Sequence, residues 1–196
     1  MKIIIIDTAC ANLASLKFCL DRLGFNATIS RDLKELESAD KLFLPGVGTA
    51  KEAMKNLEQF NLIDFIQNTK KPLLGICLGM QILGNFSEEL NQETLKLIDF
   101  TTQKFKAKEG FTFPHMGWNE VYSSHHALFK GLEGAYFYFV HSYCVGLGKY
   151  TIADCEYSQK FSASVMKDNF YGVQFHPERS SEAGEILISN FIKDIG

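Results

Sequence analysis

The sequence predicts an α/β protein whose open, mostly parallel sheet is flanked by helices and extended by antiparallel strands. Two observations predict this fold class. In the first half of the chain, short apolar runs alternate with patterns of helical period, which is typical of a parallel sheet covered on both faces. In the second half, strand patterns follow one another through short turns, which favours antiparallel additions. The length of 196 residues fits one sizeable core, so we expect a single domain over residues 1–196.

The first half supplies the elements of the predicted parallel sheet. Ile3–Ile6 is a continuous apolar run that ends at a charge, and we interpret it as a buried strand. Four leucines from Leu13 onwards recur at spacings of 3, 4 and 3, which predicts one helical face, and Gly24 predicts the end of that helix. Further strands are predicted at Ala27–Ser30, Leu42–Leu44 and Pro72–Ile76, and further helices at Ala50–Phe60 and Leu78–Leu83.

The second half supplies the predicted antiparallel strands and a closing helix. The strands are predicted at Lys96–Lys106, Asn119–Tyr122, Ala135–Val140, Thr151–Tyr157, Phe161–Met166 and Phe170–Phe175. A helix is predicted at Ser181–Ile192. The most polar segment, Ser87–Leu95, is interpreted as a surface loop or a short helix.

Charge and composition exclude several classes of function. Twenty basic and 23 acidic side chains give a formal net charge of −3, so no strong attraction to nucleic acid or to anionic membranes is expected. No apolar run approaches the ~18 residues that a membrane-spanning helix needs. The five cysteines are odd in number, widely spread and without a CxxC pair, which indicates reduced thiols in a cytoplasmic protein. Nothing in the composition indicates a metal or an organic cofactor.

A cysteine between a strand pattern and a helix pattern is the first candidate for chemistry. An apolar strand runs into Gly-x-Cys-x-Gly at Cys77, which is the cysteine form of a nucleophile elbow. Such a turn strains the backbone of the nucleophile, and the flanking glycines leave room for it. The helix N-terminus favours the thiolate, and the N–H of Leu78 is placed to stabilise an oxyanion. Most free cysteines are only small core side chains. That interpretation is given to the other four, Cys10, Cys19, Cys144 and Cys155.

A histidine and a glutamate near the C-terminus complete a candidate catalytic set. An aromatic-rich strand pattern leads to His176, and Glu178 follows two residues later across Pro177. A thiol nucleophile needs a histidine to move its proton, and the histidine needs a carboxylate that fixes its tautomer. The alternatives are a metal-ligand or structural role for His176 and a solvated surface role for Glu178. The adjacent pair His125-His126 lacks ligands at a zinc-like spacing, which argues against a metal site.

A glycine-containing loop follows the third strand pattern, next to the nucleophile strand in this topology. It reads Pro45-Gly46-Val47-Gly48. Glycines there let backbone N–H groups turn toward a bound carbonyl and supply the second half of an oxyanion hole. A simple helix entry or a phosphate cradle are the alternatives, but the segment has no Walker lysine pattern and no full Gly-x-Gly-x-x-Gly.

The elbow at residues 75–81, the loop at residues 45–48 and the ending His176-Pro177-Glu178 together resemble the class I (triad) glutamine amidotransferases. This resemblance implies the same α/β fold. More narrowly, residues 114–119, 138–143 and 176–180 are similar to the family of glutaminase subunits of imidazole glycerol phosphate synthase. The resemblance runs from Ile3 to Phe191 and is weakest around residues 87–110. Ala9 stands where the family often has glycine.

The resemblance implies a role for each candidate residue. Cys77 attacks the side-chain amide of L-glutamine, His176 protonates the departing ammonia, and Glu178 orients His176; water then hydrolyses the thioester. The implied oxyanion hole consists of backbone groups of Leu78, Val47 and Gly48. The implied glutamine-binding residues are Gly46, Gln81, His141, Ser142 and Tyr143. Read from its strand alone, His141 also resembles a catalytic base. The carboxylate beside His176 favours His176 in that role.

The resemblance also implies a partner, a (β/α)8-barrel cyclase that consumes the ammonia in histidine biosynthesis. Trp118 is the only tryptophan and lies in a Pro/Met/Gly loop pattern, so we place it at an interface, with a core aromatic as the alternative. Met116 and Asn12 are predicted to lie at the same partner face. We further expect low activity without the partner, with a flip of the Val47–Gly48 peptide completing the oxyanion hole.

Three other functions stay open at this point. A stand-alone cysteine hydrolase of γ-glutamyl compounds would be active without a partner. A non-catalytic binding module would have no need of Cys77, His176 and Glu178 together, so their presence counts against it. A glutaminase that serves another, paralogous synthase would keep the same elbow and triad, since both suit any ammonia acceptor.

Overall fold

The computed structural model describes residues 1–9, 12–123 and 125–195. The strands, β1 to β14 in chain order, are Ile3–Ile6, Ala27–Ser30, Lys41–Gly46, Leu73–Cys77, Phe86–Ser87, Gln92–Glu93, Thr101–Lys104, His115–Glu120, Tyr122–Ser123, Tyr136–His141, Tyr143–Val145, Thr151–Tyr157, Gln159–Lys167 and Phe170–Val173. The helices, α1 to α6, are Leu13–Arg22, Leu33–Glu37, Ala50–Gln59, Ile63–Asn68, Leu78–Gln81 and Ser181–Asp194. Short 3₁₀ turns occur at Glu89–Asn91, Ala127–Phe129 and Pro177–Arg179.

An eight-stranded sheet forms the centre of the fold, in the order β2-β1-β3-β4-β14-β13-β12-β9. The first five strands in this order pair in parallel. They include β14, predicted as an antiparallel addition, which runs parallel to β4 and antiparallel only to β13. The last three are joined to them by antiparallel pairing. The predicted fold class, an open and mostly parallel sheet with helices and antiparallel additions, is therefore confirmed.

The core lies on both faces of this sheet, and strand β1 shows why its sequence is apolar throughout. Ile3 and Ile5 face the same side as α1 and α6, where they share a core with Phe191. Ile4 and Ile6 face the opposite side, where they share a core with Leu57 of α3. Because successive side chains of a strand point to opposite faces, a strand covered on both faces needs an apolar residue at every position.

Three of the predicted second-half strands lie wholly or partly outside the main sheet. Strand β8 pairs with β10 in a separate antiparallel ribbon, and β7 belongs to a small sheet in the order β11-β7-β5-β6. The strand predicted at Asn119–Tyr122 in fact begins at His115 and is interrupted at Val121. The polar segment Ser87–Leu95 contains the end of β5, a 3₁₀ turn and the edge strand β6. Helices α2 and α4 have no counterpart in the predictions.

The helix after the nucleophile is shorter than predicted, because α5 ends at Gln81 rather than at Leu83. The backbone N–H groups of Leu95, Lys96 and Leu97 donate to the carbonyls of residues 82, 84 and 83, with distances of 2.7 to 3.0 Å. These bonds satisfy carbonyls just beyond the helix end, which have no intrahelical partner. They also explain why the strand predicted at Lys96–Lys106 is reduced to Thr101–Lys104.

Three of the cysteines interpreted as core side chains are buried free thiols. Burial raises the pKa of Cys19 to about 11 and the pKa of both Cys144 and Cys155 to about 12. Thiols with such pKa values stay protonated and unreactive near neutral pH. The fourth, Cys10, lies outside the described residues. Within the described ranges, no helix combines the length and the apolar character needed to cross a bilayer.

Candidate active site

Cys77 lies at the turn between strand β4 and helix α5. Its backbone has φ +54° and ψ −111°, a conformation that residues other than glycine rarely adopt. Close packing holds it there: a Cβ on Gly79 would lie 1.8 Å from the carbonyl oxygen of Leu44, so only glycine allows α5 to approach strand β3 so closely. The sequence thus builds a strained elbow that presents the thiol at the carboxyl edge of the parallel sheet.

His176 and Glu178 stand beyond the end of strand β14, which is the neighbour of β4. The Nδ1 of His176 lies 2.9 Å from Oε1 of Glu178, and both side chains are nearly buried. The 3₁₀ turn that begins at Pro177 brings the two side chains together. Burial by itself lowers the pKa of His176, but hydrogen bonds to Cys77 and Glu178, together with their negative charges, raise it to about 10. The imidazole is therefore held in its protonated form beside the sulfur.

The backbone of His176 is tied to strand β10. Its N–H donates to the carbonyl of Tyr138 at 2.9 Å. The Ser180 hydroxyl donates to the carbonyl of His176 at 2.6 Å and accepts from the N–H of Tyr138 at 3.0 Å. The position of the imidazole is therefore coupled to β10, and through β10 to the ribbon that it forms with β8.

One pocket of about 410 Å³ contains the residues predicted for catalysis, for the oxyanion hole and for glutamine binding. These are Gly46, Val47, Gly48, Cys77, Leu78, Gln81, His141, Ser142, Tyr143, His176 and Glu178. Further lining residues are Asn12, Leu16, Pro45, Ile76, Glu89, Pro114, Val140 and Arg179. A pocket of this size suits a small polar molecule such as a free amino acid.

The Pro45–Gly48 loop runs beside the nucleophile, since Gly46 is in register with Cys77 on the neighbouring strand. Gly48 has φ +93°, in the left-handed region that favours glycine. The carboxylate of Glu89 accepts from the N–H of Ala50 at 2.8 Å, directly after this loop. Glu89 therefore anchors the loop and places a negative charge in the pocket. Sequence reasoning missed it, because it lies in the most polar segment and carries no motif.

His141 lines the same pocket but makes a different set of contacts. Its Nδ1 lies 2.7 Å from the carbonyl of Tyr143, and its Nε2 lies 3.0 Å from Nδ1 of His115. Because a carbonyl only accepts, Nδ1 of His141 carries the hydrogen and Nε2 accepts one from His115. Burial, the largest cause, and the nearby His115 and His176 lower the pKa of His141 to about 3. Both nitrogens of this neutral ring are therefore already occupied.

His115 is the second member of this neutral pair. Its ring stacks against Tyr157 at 4.0 Å and against Phe139 at 4.9 Å between centroids. Its Nε2 lies 3.5 Å from Nδ2 of Asn119. Burial lowers the pKa of His115 to about 4. Sequence reasoning missed this residue; a histidine at the start of a strand gives no local signal of an aromatic environment.

Two of the residues predicted for a partner face lie outside the pocket, on strand β8. Met116 is 63% exposed and Trp118 is 51% exposed. Trp118 is the register partner of Tyr138, and their rings meet edge to face at 6.1 Å. Asn12 instead lines the pocket and caps helix α1, accepting from the N–H of Ser15 at 3.4 Å. The ribbon therefore carries an exposed apolar surface on the strand pair that holds the backbone of His176.

In the described part of the chain, metal-ligating side chains are not gathered at this site. Among the residues that the structure describes, no three His, Cys, Asp or Glu side chains are grouped as metal ligands would be. The chemistry that the site offers is that of a strained thiol, a protonated imidazole with a carboxylate behind it, and backbone N–H groups near the sulfur. Such a set suits acyl transfer through a thioester.

The comparison with protein families defines the class. Residues 4–195 match the model described as "Glutamine amidotransferase class-I". A solved structure described as a glutamine amidotransferase has a TM-score of 0.75 and 17% sequence identity, over 97% of each chain. At this identity the likeness concerns the fold.

Relatives of higher sequence identity show which kind of class-I glutamine amidotransferase the chain resembles. The chain is 54% identical to the imidazole glycerol phosphate synthase subunit HisH 1 of Vibrio vulnificus, over 98% of both sequences. It is 51% identical to the imidazole glycerol phosphate synthase subunit HisH of Haemophilus influenzae, over 100% of this chain and 98% of that protein. The chain therefore belongs to the class-I glutamine amidotransferases and, within them, to the family of HisH subunits.

Proposed function

We propose that this chain is the glutaminase subunit of imidazole glycerol phosphate synthase, which hydrolyses L-glutamine to glutamate and ammonia in histidine biosynthesis. One observation carries the proposal: the elbow thiol of Cys77 shares a pocket with the His176–Glu178 pair, whose atoms lie 2.9 Å apart, in a chain of the HisH family. The predicted single catalytic domain over residues 1–196 is part of this proposal. The predicted cytoplasmic location is also part of it, supported by free thiols at the four described cysteines.

The first half-reaction forms a thioester. The Cys77 thiolate attacks the side-chain amide carbon of glutamine, and the new C–S bond places a negative charge on the amide oxygen. Backbone N–H groups of Leu78 and of the Val47–Gly48 segment stabilise this oxyanion. The imidazolium of His176 donates its proton to the amide nitrogen, the C–N bond breaks, and ammonia leaves. Glu178 stabilises the imidazolium and fixes its orientation.

The second half-reaction hydrolyses the γ-glutamyl thioester. Neutral His176 now takes a proton from water, and the resulting hydroxide equivalent attacks the thioester carbon. The C–S bond breaks, glutamate is released and the thiolate is restored beside the imidazolium. The same histidine thus acts first as an acid and then as a base.

The amino-acid end of glutamine needs groups that recognise an ammonium and a carboxylate. Gly46, Gln81 and the strand segment at residues 141–143 are proposed to hold it, partly through main-chain groups. Because both ring nitrogens of His141 are occupied, its contribution is to position that strand. Glu89 is added to the set: the imidazolium of His176 engages Glu178, whereas the Glu89 carboxylate accepts from the uncharged N–H of Ala50 and is therefore the one suited to the α-ammonium group.

The partner proposed for this chain is a (β/α)8-barrel cyclase, forming a heterodimer. The relatives carry the name of a synthase subunit, so they act as part of a larger enzyme. In the proposed reaction the barrel uses ammonia to cleave a ribulose-phosphate-type intermediate, yielding imidazole glycerol phosphate and an aminoimidazole carboxamide ribotide. Met116, Trp118 and Asn12 are proposed as the partner face, supported by the exposure of the first two on strand β8.

Glutamine hydrolysis measured under three conditions tests the function. The chain is assayed alone, with the cyclase barrel from the same source, and with the barrel and its ribulose-phosphate substrate. We expect low activity of the chain alone and strong stimulation in the mixture with the barrel and its substrate. In Cys77→Ala we expect no activity under any of the three conditions. Activity that is independent of the barrel would assign the chemistry to a stand-alone hydrolase or to another synthase.

The partner face has its own test. We expect Trp118→Ala to weaken binding of the barrel at least about tenfold, as is typical of a buried tryptophan at an interface. Leu147→Ala is the matched control, because Leu147 is similarly exposed (52%) but lies outside the ribbon. Unchanged affinity in Trp118→Ala, measured by titration calorimetry, would remove Trp118 from the interface.

A further inference from the structure

Gln174 is a buried amide beside the nucleophile, and the mechanism proposed above does not use it. It directly follows strand β14, and because Val173 is in register with Ile76, Gln174 stands level with Cys77. Its side chain is 0% exposed, and its Nε2 lies 3.7 Å from the Cys77 sulfur. The amide therefore contacts the reacting atom itself.

The direction of this contact follows from a chain of hydrogen bonds that begins at a backbone carbonyl. The carbonyl of Tyr143 can only accept, so the Gln81 atom 3.1 Å from it is the nitrogen. That nitrogen also lies 2.9 Å from the side chain of Gln174, which therefore presents its oxygen to Gln81. The nitrogen of Gln174 is left facing the sulfur as an N–H donor. Both amides are oriented by this one carbonyl.

We infer that Gln174 is a further catalytic residue, whose side-chain N–H holds the Cys77 sulfur and favours the thiolate over the thiol. A donor favours the charged form of the group that accepts its hydrogen bond. The Val140 carbonyl, 3.8 Å from the sulfur, can only accept from a protonated thiol and acts in the opposite sense. Gln174 and Val140 thus compete for the two protonation states of one sulfur.

The same hydrogen bonds connect the nucleophile to the segment proposed to hold glutamine. Tyr143 belongs to β11, Gln81 ends helix α5, and Gln174 follows β14, so three elements are joined at the sulfur. A shift of the 141–143 segment would change the orientation of Gln81 and, through it, the N–H that faces Cys77. The relay Tyr143–Gln81–Gln174–Cys77 is therefore a path by which the binding segment positions the thiol.

Alkylation of Cys77 by iodoacetamide tests the inference. The thiolate forms an S–C bond and iodide leaves, so the reaction needs neither glutamine nor a partner. The inference rests on the proposed function only in taking Cys77 as the nucleophile. The rate is measured against pH in the full-length wild-type chain and in Gln174→Met, by mass mapping of the Cys77 peptide. Ser164→Ala is the control: Ser164 is also 0% exposed and donates to the carbonyl of Gly172 at 2.7 Å, without contacting the sulfur.

We expect Gln174→Met to slow alkylation near neutral pH about tenfold and to move its pH dependence to higher pH, as loss of a hydrogen bond to a charged group implies. We expect Ser164→Ala to keep the wild-type profile. A wild-type profile in folded Gln174→Met overturns the inference. If Gln174→Met does not fold, Gln81→Met tests the relay from its other end: slowed alkylation supports the inference, and an unchanged rate overturns it.

The two proposals fail in different ways. Wild-type alkylation of Gln174→Met, in a chain whose glutamine hydrolysis depends on Cys77, overturns the role of Gln174 and leaves the glutaminase function intact. Glutamine hydrolysis that persists in Cys77→Ala overturns the glutaminase mechanism, whatever the alkylation rates are.

Discussion

Two histidines line one pocket in opposite electrostatic states. His176 and His141 are similarly buried, at 8% and 5% exposure. The pKa of His176 is raised to about 10, and the pKa of His141 is lowered to about 3. Burial lowers the pKa in both cases, so the difference comes from the partners. Glu178 and Cys77 are acidic groups that favour an imidazolium, whereas His115 and the Tyr143 carbonyl are neutral.

The difference separates a group that moves protons from a group that holds the site in place. His176 has a carboxylate on Nδ1 and is free to act through its other nitrogen toward the sulfur. His141 uses both nitrogens in neutral hydrogen bonds that connect β8, β10 and β11. A histidine at an active site is thus assigned by what its nitrogens contact rather than by its distance from the nucleophile.

The largest expected effect comes from exchanging each histidine for asparagine. In His176→Asn we expect kcat for glutamine to fall about 10³-fold, within the range typical of a general acid–base residue. In His141→Asn we expect a smaller fall in kcat, together with a loss of about 1 to 3 kcal/mol in the free energy of unfolding, since His115 loses its acceptor. Steady-state kinetics and urea unfolding of both variants measure these effects. Equal kinetic losses in two folded variants would contradict the assignment.

The second-largest effect concerns Glu178, the carboxylate that contacts His176 and has no counterpart beside His141. We expect Glu178→Gln to lower kcat about 10- to 100-fold, because the imidazolium loses its charged partner while the side chain keeps its size. The pKa of His176, followed by NMR of the ring nitrogens, should fall relative to wild type. An unchanged pKa would show that Cys77 alone holds the proton on His176.

Much of the site was predictable because its signals are local. The elbow combines an apolar strand with glycines that α5 and β3 require, and the ending from His176 to Glu178 keeps its base and carboxylate within one turn. Strands β1, β3 and β4 were predictable for the same reason, since strands buried on both faces are largely apolar, whereas the edge strand β2 is half exposed.

The rest of the site depends on contacts between residues far apart in sequence. Strand β8 reads His-Met-Gly-Trp-Asn-Glu, and its large apolar residues lie on the exposed face rather than in the core. Its pairing with β10 and the stacking of His115 on Tyr157 are non-local. In the sequence, Glu89 resembles an ordinary solvated charge. Its role depends on the turn at Glu89–Asn91 lying beside α3, where its carboxylate accepts from Ala50. Gln174 did carry one local signal: it is a polar residue two positions before His176, within the otherwise largely apolar strand predicted at Phe170–Phe175.

The third expected effect is a stability maximum near pH 6.5 with two limbs of different origin. The folded-state pKa values of His115 and His141 lie below the unfolded value, so the unfolded chain binds more protons below pH ~6.5 and stability falls toward pH 4. The folded-state pKa of His176 lies above the unfolded value, so its contribution is complete below pH ~6.5 and is lost as the pH rises toward about 10. The titration of each histidine gives its limb of the curve its slope.

Variants of His141 and His176 test which histidine causes each limb of the stability curve. Urea unfolding between pH 4 and 10 should show a flatter acid limb in His141→Asn and a flatter alkaline limb in His176→Asn. The opposite pattern, or one variant that flattens both limbs, would contradict the electrostatic difference between His176 and His141.

The smallest expected effect concerns Asn119, which lies beside His115, the neutral partner of His141. Asn119 donates to the carbonyl of Glu156 at 2.9 Å and stands 3.5 Å from Nε2 of His115. We expect Asn119→Ala to lower the free energy of unfolding by about 1 kcal/mol, as loss of one hydrogen bond implies, with kcat nearly unchanged. Thermal unfolding and the glutaminase assay check this result together. A large fall in kcat would place Asn119 in the catalytic machinery.

The central claim is that Cys77 forms a γ-glutamyl thioester with His176 and Glu178 beside it. The most direct measurement is acid quenching of the complex during glutamine turnover, followed by mass spectrometry of the Cys77 peptide. The account predicts a mass increase of one γ-glutamyl group on Cys77 in the wild-type chain and none in Cys77→Ala, which should also release no ammonia. A γ-glutamyl group on another residue, or ammonia release by Cys77→Ala, would contradict the account.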